Sequence, residues 1–339
     1  MIRRFDVVAV QEVRGNLRAL RYLLKVLGED WGFILTDVTL GRDGNNERLA
    51  FLFDTRRVKP SGLACELVVP LEQGRRGERG RPEPAVRPHP LRVSFLSGGQ
   101  TFTLVTLHVD YGDTAADRVP ELAAIAQWLA GWAEREFGWD HNLIALGDFN
   151  IDREGDPLFD AFTSTGLTSA PQLEGLPRTI FDKPGAAHFY DQIAWFTKGQ
   201  QHRPVLRLEV VAGGLVDFVD ALQGESTRNE LSWHISDHYP LWGSSRSRRA
   251  DGLAAPDEPL KPAPGVGRCR SPIRSDGGDR VSDVGVCVRA QQLSACQARC
   301  RVRRAPGAWP RPGLCRRFSP ARRESTRQGC YGRRAWRRA

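Results

Sequence analysis

Six short apolar runs in the first 245 residues each begin or end at a residue able to bind a cation or move a proton. Phe5–Val10 (FDVVAV) leads into Gln11-Glu12, and Arg48–Asp54 (RLAFLFD) follows Glu47. Thr101–His108 (TFTLVTLH) ends in a histidine, and Asn142–Leu146 (NLIAL) runs into Gly147-Asp148-Phe149-Asn150. Tyr190–Phe196 carries Asp191 at its start, and Tyr239–Trp242 follows Asp237-His238. Runs of this length read as buried strands, with further strands over Leu63–Val69 and Leu91–Leu96. Polar residues at strand ends can converge on one rim of a sheet.

Helices are fewer. Leu17, Leu20, Leu23, Leu24 and Leu27 recur at helical spacing, with Gly28 as the stop. Val119–Phe137 reads as a long amphipathic helix, with Pro120 in its first turn and Trp128 and Trp132 on one face. Many strands with a few long helices between them predict a sheet-rich α/β sandwich. Gly74–Pro90 (GRRGERGRPEPAVRPHP) reads as a loop.

Charge separates the chain into two parts. Residues 1–245 hold 26 Lys and Arg against 33 Asp and Glu, a net of −7. Residues 246–339 hold 23 against 7, a net of +16, so the basic balance of the whole belongs to its end. The first part is long enough to bury a core without disulfides, and Cys65 is its one cysteine. The second part is dominated by Gly, Pro, Ser and Arg and has no apolar periodicity, so it is expected to be a disordered basic tail. Its functional reading is an Arg-rich arm that attracts phosphates; the plainer reading, a nonfunctional extension, is favoured because charge alone is not recognition. Cys296 and Cys300 are spaced as C-x-x-x-C, with no neighbouring histidine or second close pair to make a zinc site. No signal peptide and no run of membrane-spanning length stands out, so a soluble, cytoplasmic, monomeric protein is the expectation.

The polar set at the strand ends suits phosphate-ester hydrolysis. A hard divalent cation prefers carboxylate and amide oxygens. A histidine held by a carboxylate can take a proton from water or stabilise negative charge. Taken singly, each residue has a duller reading: a strand-end acid is commonly a turn or cap residue, and Gly-Asp-x-Asn is a common turn.

The ordered set Gln11-Glu12, Asn46-Glu47-Arg48, Leu107-His108, Gly147-Asp148-Phe149-Asn150, Tyr190-Asp191-Gln192-Ile193 and Ser236-Asp237-His238-Tyr239-Pro240-Leu241 resembles the endonuclease/exonuclease/phosphatase superfamily. A histidine at 108 makes it more similar to the DNase I-like branch. The resemblance implies a four-layer α/β/β/α sandwich over residues 1–245, here without the family's usual first strand, followed by the tail at 246–339. It also implies Mg²⁺ or Mn²⁺ held by Glu12 with Asp237, and Asp148 and Asn150 orienting water and phosphate. Asp191 would hold His238 and Glu47 would hold His108. The expected activity is metal-dependent cleavage of phosphodiesters in nucleic acid. Phosphomonoester or inositol or lipid phosphate hydrolysis on the same fold, and an inactive remnant with a nucleic-acid-binding tail, stay open as alternatives.

Overall fold

The computed structural model describes residues 1–38, 46–67, 89–135, 142–196, 208–222, 226–247 and the backbone of 282–287. Most of the expected loop at Gly74–Pro90, and the expected tail apart from residues 246–247 and 282–287, lie outside the described residues. In chain order the elements are β1 (Val7–Arg14), α1 (Arg18–Leu27), β2 (Trp31–Leu35), β3 (Glu47–Asp54), β4 (Lys59–Glu66), β5 (Leu91–Ser97) and β6 (Gln100–His108). Then come α2 (Ala115–Ala133), β7 (Leu143–Asp148), α3 (Pro157–Thr163), β8 (Leu167–Ser169) and β9 (Asp191–Phe196). The last are β10 (Leu208–Leu215), α4 (Phe218–Ala221), α5 (Arg228–His234), β11 (Leu241–Ser247) and β12 (Ser282–Cys287).

Among the described residues two six-stranded sheets result, in the orders β10-β11-β12-β1-β3-β2 and β4-β5-β6-β7-β9-β8. Side chains alternate across a strand, so Val7 and Ala9 face the second sheet while Val8 and Val10 face α1. Between the sheets, Phe51 and Phe53 meet Phe95 edge-on at 5.7 and 5.6 Å, beside Val93, Leu104 and Leu146. On the outer face of the first sheet the α1 leucines cover Val8, Val10 and Leu52. On the outer face of the second, Leu122, Ile125 and Leu129 of α2 and Phe162 of α3 cover Val105, Leu107 and Ala145. The fold is therefore the four-layer α/β/β/α sandwich. Strands β1 and β3 are buried on both faces, which is why they read as unbroken apolar runs.

Some elements begin or lie elsewhere than the sequence suggests. Helix α2 starts four residues earlier, because Thr114 and Asp117 form a reciprocal capping box. Pro120 therefore sits in the second turn rather than the first. Strand β10 (LEVVAGGL) escapes a reading by apolar alternation, since Gly213 and Gly214 interrupt it. Gly214 pairs with Trp242, and a Cβ there would lie 3.0 Å from the indole Nε1. The glycine is the space for the tryptophan.

The parallel neighbour of β1 is β12, which pairs Val7 with Val284 through Val10 with Cys287 and runs antiparallel to β11 on its other side. Ser282–Cys287 lies within the stretch read as tail. The sheet edge of β1 is thus paired by backbone from downstream.

Candidate active site

Strand β1 changes register against β3 between Val10 and Val13, where β1 advances three residues while β3 moves two, from Ala50 to Arg48. This bulge holds Gln11 and Glu12 and re-aims them, as bulges beside functional sites do. Glu12 has φ 55, and Asn46 and Asn150 have φ 59 and φ 50; these are the non-glycine residues with positive φ among those described. Left-handed backbone at non-glycine residues is costly and collects at sites whose surroundings enforce it. Gln11 donates from Nε2 to Thr106 Oγ1 at 2.7 Å, tying the first sheet to the second at the same rim.

The second sheet lines up its residues by register. His108 at the end of β6 lies beside Asp148 at the end of β7, and Asp148 lies opposite Asp191 at the start of β9. Gly147 allows this approach: with φ 138, a Cβ there would fall 2.1 Å from the Leu107 carbonyl oxygen. His238 reaches the set from the end of the chain segment after α5, through an antiparallel bridge to Thr179.

Two clusters follow. In the first, ligand atoms of Glu12, Glu47 and His108 lie within 4.8 Å of one another; in the second, those of Asp148, Asp191 and His238 do so. His108 Nε2 stands 3.8 Å from Asp148 Oδ2, so the clusters adjoin. All of the carboxylates are buried. The Asp191–His238 pair is closed, with 2.7 Å between Oδ2 and Nδ1. Glu47 is 3.9 Å from His108 Nδ1, too far for a hydrogen bond, and pairs with Arg14 at 2.9 Å. Asn150 Nδ2 donates to the Val109 carbonyl at 2.7 Å, and its amide N donates to Asp148 Oδ1. Asp237 is half-buried and belongs to neither cluster. Every residue singled out from the sequence is thus at this rim or adjacent in chain to one that is.

Burial pushes the Asp191 carboxyl up to about 6; the charge and hydrogen bond of His238 pull against the rise, Asp148 adds to it, and Arg178 opposes it. Asp148 Oδ2 and Asp191 Oδ1 are buried acceptors with no hydrogen bond among the described residues. Acceptors left so are costly, and a water donating to them would satisfy them.

Three supporting residues were not legible beforehand. Arg178 is almost wholly buried and donates from Nε to the Asp191 carbonyl, and from Nη1 to the carbonyls of Leu173 and Leu176. It fixes the start of β9. Asp182 and His188 form another carboxylate–histidine pair at 2.6 Å. The Thr179-x-x-Asp182 turn was the one available signal, and a turn is a weak one.

No family model matches the chain. It is 29% identical over 255 residues to a deoxyribonuclease of Thioalkalivibrio sp. (strain K90mix), covering 70% of this chain and 62% of that protein. It is 26% identical over 255 residues to deoxyribonuclease-1 of Bos taurus, covering 71% of this chain and 81% of that one. The chain therefore spans less than two thirds of the bacterial relative's length. Among solved structures, a functionally unknown conserved protein from Enterococcus faecalis V583 aligns with a TM-score of 0.50 at 17% identity, over 73% of this chain and 87% of that one. That likeness is one of fold. No described helix is long and apolar enough to cross a membrane.

Proposed function

We propose that this chain, which resembles the DNase I-like branch of the endonuclease/exonuclease/phosphatase superfamily in sequence and fold, is a divalent-metal-dependent phosphoester hydrolase that cleaves phosphodiester bonds in nucleic acid. The observation that carries the reading is the contact of the two clusters through His108 and Asp148, 3.8 Å apart. It puts a carboxylate-rich cation site next to a carboxylate–histidine pair, the two devices that hydrolysis of a phosphate ester needs.

The donor chemistry fits a hard cation. Glu12 and Glu47 offer buried carboxylates beside His108; Asp237, the further ligand the resemblance implies, stands outside both clusters, next to His238 in the chain. Mg²⁺ or Mn²⁺ bound there would supply positive charge to the phosphoryl oxygens. The remaining work falls to the chain. Asp191 accepts from His238 Nδ1–H, which orients the ring and leaves Nε2 to take a proton from water. Asp148 stands between that pair and His108, placed to orient the attacking water. Asn150, whose Nδ2 is tied to the Val109 carbonyl, holds the turn that presents Asp148. His108, on the far side of Asp148, is placed to meet the phosphate or the leaving oxygen.

Supercoiled plasmid incubated with Mg²⁺ or Mn²⁺ tests this. Nicking that is abolished by EDTA and restored by added metal is expected. Undiminished nicking after exhaustive chelation removes the metal from the reading. Turnover of an inositol phosphate with none of DNA moves the activity to phosphomonoesters.

A further inference from the structure

Beyond the two clusters, three aromatic rings form a stack at the site's edge. Tyr190 lies between His238, with centroids 5.7 Å apart and planes 16° apart, and His188, at 4.5 Å and 18°. His238 is buried, whereas the His188 side chain is 45% exposed, so the stack leads from the site outwards. His188 is held. Its Nδ1 is 2.6 Å from Asp182 Oδ1, and the Asp182 side chain is fully buried, accepting also from the amides of Arg178 and Thr179 and from the Thr179 hydroxyl. The loop is closed by a turn in which the Ala186 amide donates to the Lys183 carbonyl. It is fastened to the site strand by Thr179 bridging His238, with Ile180 and Tyr239 amides donating to the Asp237 and Arg178 carbonyls. Nothing in the hydrolytic step uses this pair.

A polymeric substrate extends past the scissile bond, and the body of this protein repels it, since residues 1–245 carry a net charge of −7. That part of the chain therefore offers no diffuse attraction at the site, and whatever the +16 of residues 246–339 contributes, the flanking phosphates must be positioned by individual donors near the site. We infer that His188 is a substrate-contacting residue that binds the phosphate next to the scissile one, through Nε2, and so favours polymeric phosphodiesters over isolated phosphate esters. Asp182 fixes which ring nitrogen faces outward. With Nδ1 taken up by the Asp182 carboxylate, Nε2 is the ring nitrogen left to meet a phosphate oxygen. Tyr190 sets the distance from His238, and its own phenol, raised above its ordinary pKa by burial and by Tyr111, stays neutral beside the bound phosphates. The inference rests on the nucleic-acid reading of the site.

The test compares the parent protein with His188→Ala and His188→Phe, the second keeping a ring against Tyr190 without its nitrogens. Binding of a labelled DNA duplex in EDTA is measured at pH 6 over a range of salt, and kcat and KM with Mg²⁺ are measured on DNA and on bis(p-nitrophenyl) phosphate. Both variants are expected to bind the duplex on the order of tenfold more weakly, as for one hydrogen bond to a charged group. The slope of log affinity against log salt should fall by about one contact. The loss should appear in KM for DNA and lower the ratio of DNA to small-diester kcat/KM. Parent-like duplex binding by both variants, an unchanged salt slope, or an equal loss on both substrates overturns the assignment. So does rescue by phenylalanine, which would make the ring a packing element. A parent that binds DNA through His188 but cleaves no ester would leave this contact standing and remove the hydrolytic reading instead.

Discussion

The two clusters at the rim are each built from two carboxylates and a histidine and differ in how they are joined. Asp148, Asp191 and His238 are drawn together by a 2.7 Å hydrogen bond and by the register of adjacent strands. Glu12, Glu47 and His108 converge from both sheets, and Glu47 stops 3.9 Å short of His108, pairing with Arg14. A closed pair is suited to steering a proton, because the carboxylate fixes which ring nitrogen is outward. An open group of acids with a ring at its edge is suited to receiving a cation. The lesson is that spacing in the chain identifies the residue types at a site, while hydrogen-bond closure separates their roles.

The largest effect should distinguish these roles directly. His238→Ala is expected to lower turnover by about 10² to 10⁴, as for a positioned acid–base group, with no recovery at raised Mg²⁺. Glu12→Gln should instead raise the Mg²⁺ concentration needed for half-maximal rate and recover much of its turnover when metal is added. Steady-state rates across a metal titration give both answers. Recovery of the histidine variant by metal, or a glutamine variant deaf to metal, would reverse the assignment of the clusters.

The next effect concerns the sheet under the first cluster. Strand β1 carries Glu12 and leans on β12, an interior strand bonded on both edges. Truncation after residue 247 removes β12 and leaves the edges of β1 and β11 unpaired in mid-sheet. It should lower the melting temperature by roughly 10 °C, from several lost backbone hydrogen bonds at about 1 kcal/mol each. Truncation after residue 298, which keeps β12, should leave the melting temperature close to that of the full chain. Equal melting of the two truncations would show that β12 adds nothing to the sheet.

The smallest effect lies at the margin of the second cluster. Burial pushes the Asp182 carboxyl up, but the Thr179 amide, the His188 ring, the Arg178 amide and the Thr179 hydroxyl together hold it below its ordinary range. A carboxyl lowered in the folded state adds stability above its unfolded value near 4 and loses it as pH falls through the lower folded value. Asp182→Asn should therefore cost about 1–2 kcal/mol near neutrality, and the gap from the parent should narrow as the pH falls below about 4 and the carboxyl is protonated. Urea unfolding at both pH values measures it; a gap constant with pH would mean the carboxylate charge is not the source.

The residues themselves settled a good deal. The apolar runs ending in Glu12, His108 and Asp148 are strands because buried two-sided strands need unbroken apolar sequence, and the leucine period of α1 stops at Gly28 as read. The acids and histidines of the rim were legible for the same reason: a charged residue at the edge of such a run must lie where the sheet ends. Contacts between segments far apart in the chain were not legible. The bulge that turns Glu12 inward depends on register with β3, and Arg178 under Asp191 depends on carbonyls that only the folded loop presents. The stacking of His188 on Tyr190 needed the loop closed by Asp182. The insertion of Ser282–Cys287 between β1 and β11 follows from edges that other strands create. Local pattern fixes what a segment can be, since side-chain alternation and capping act over a few residues. Its partner is decided by backbone groups and space that exist only once the rest of the sandwich has formed.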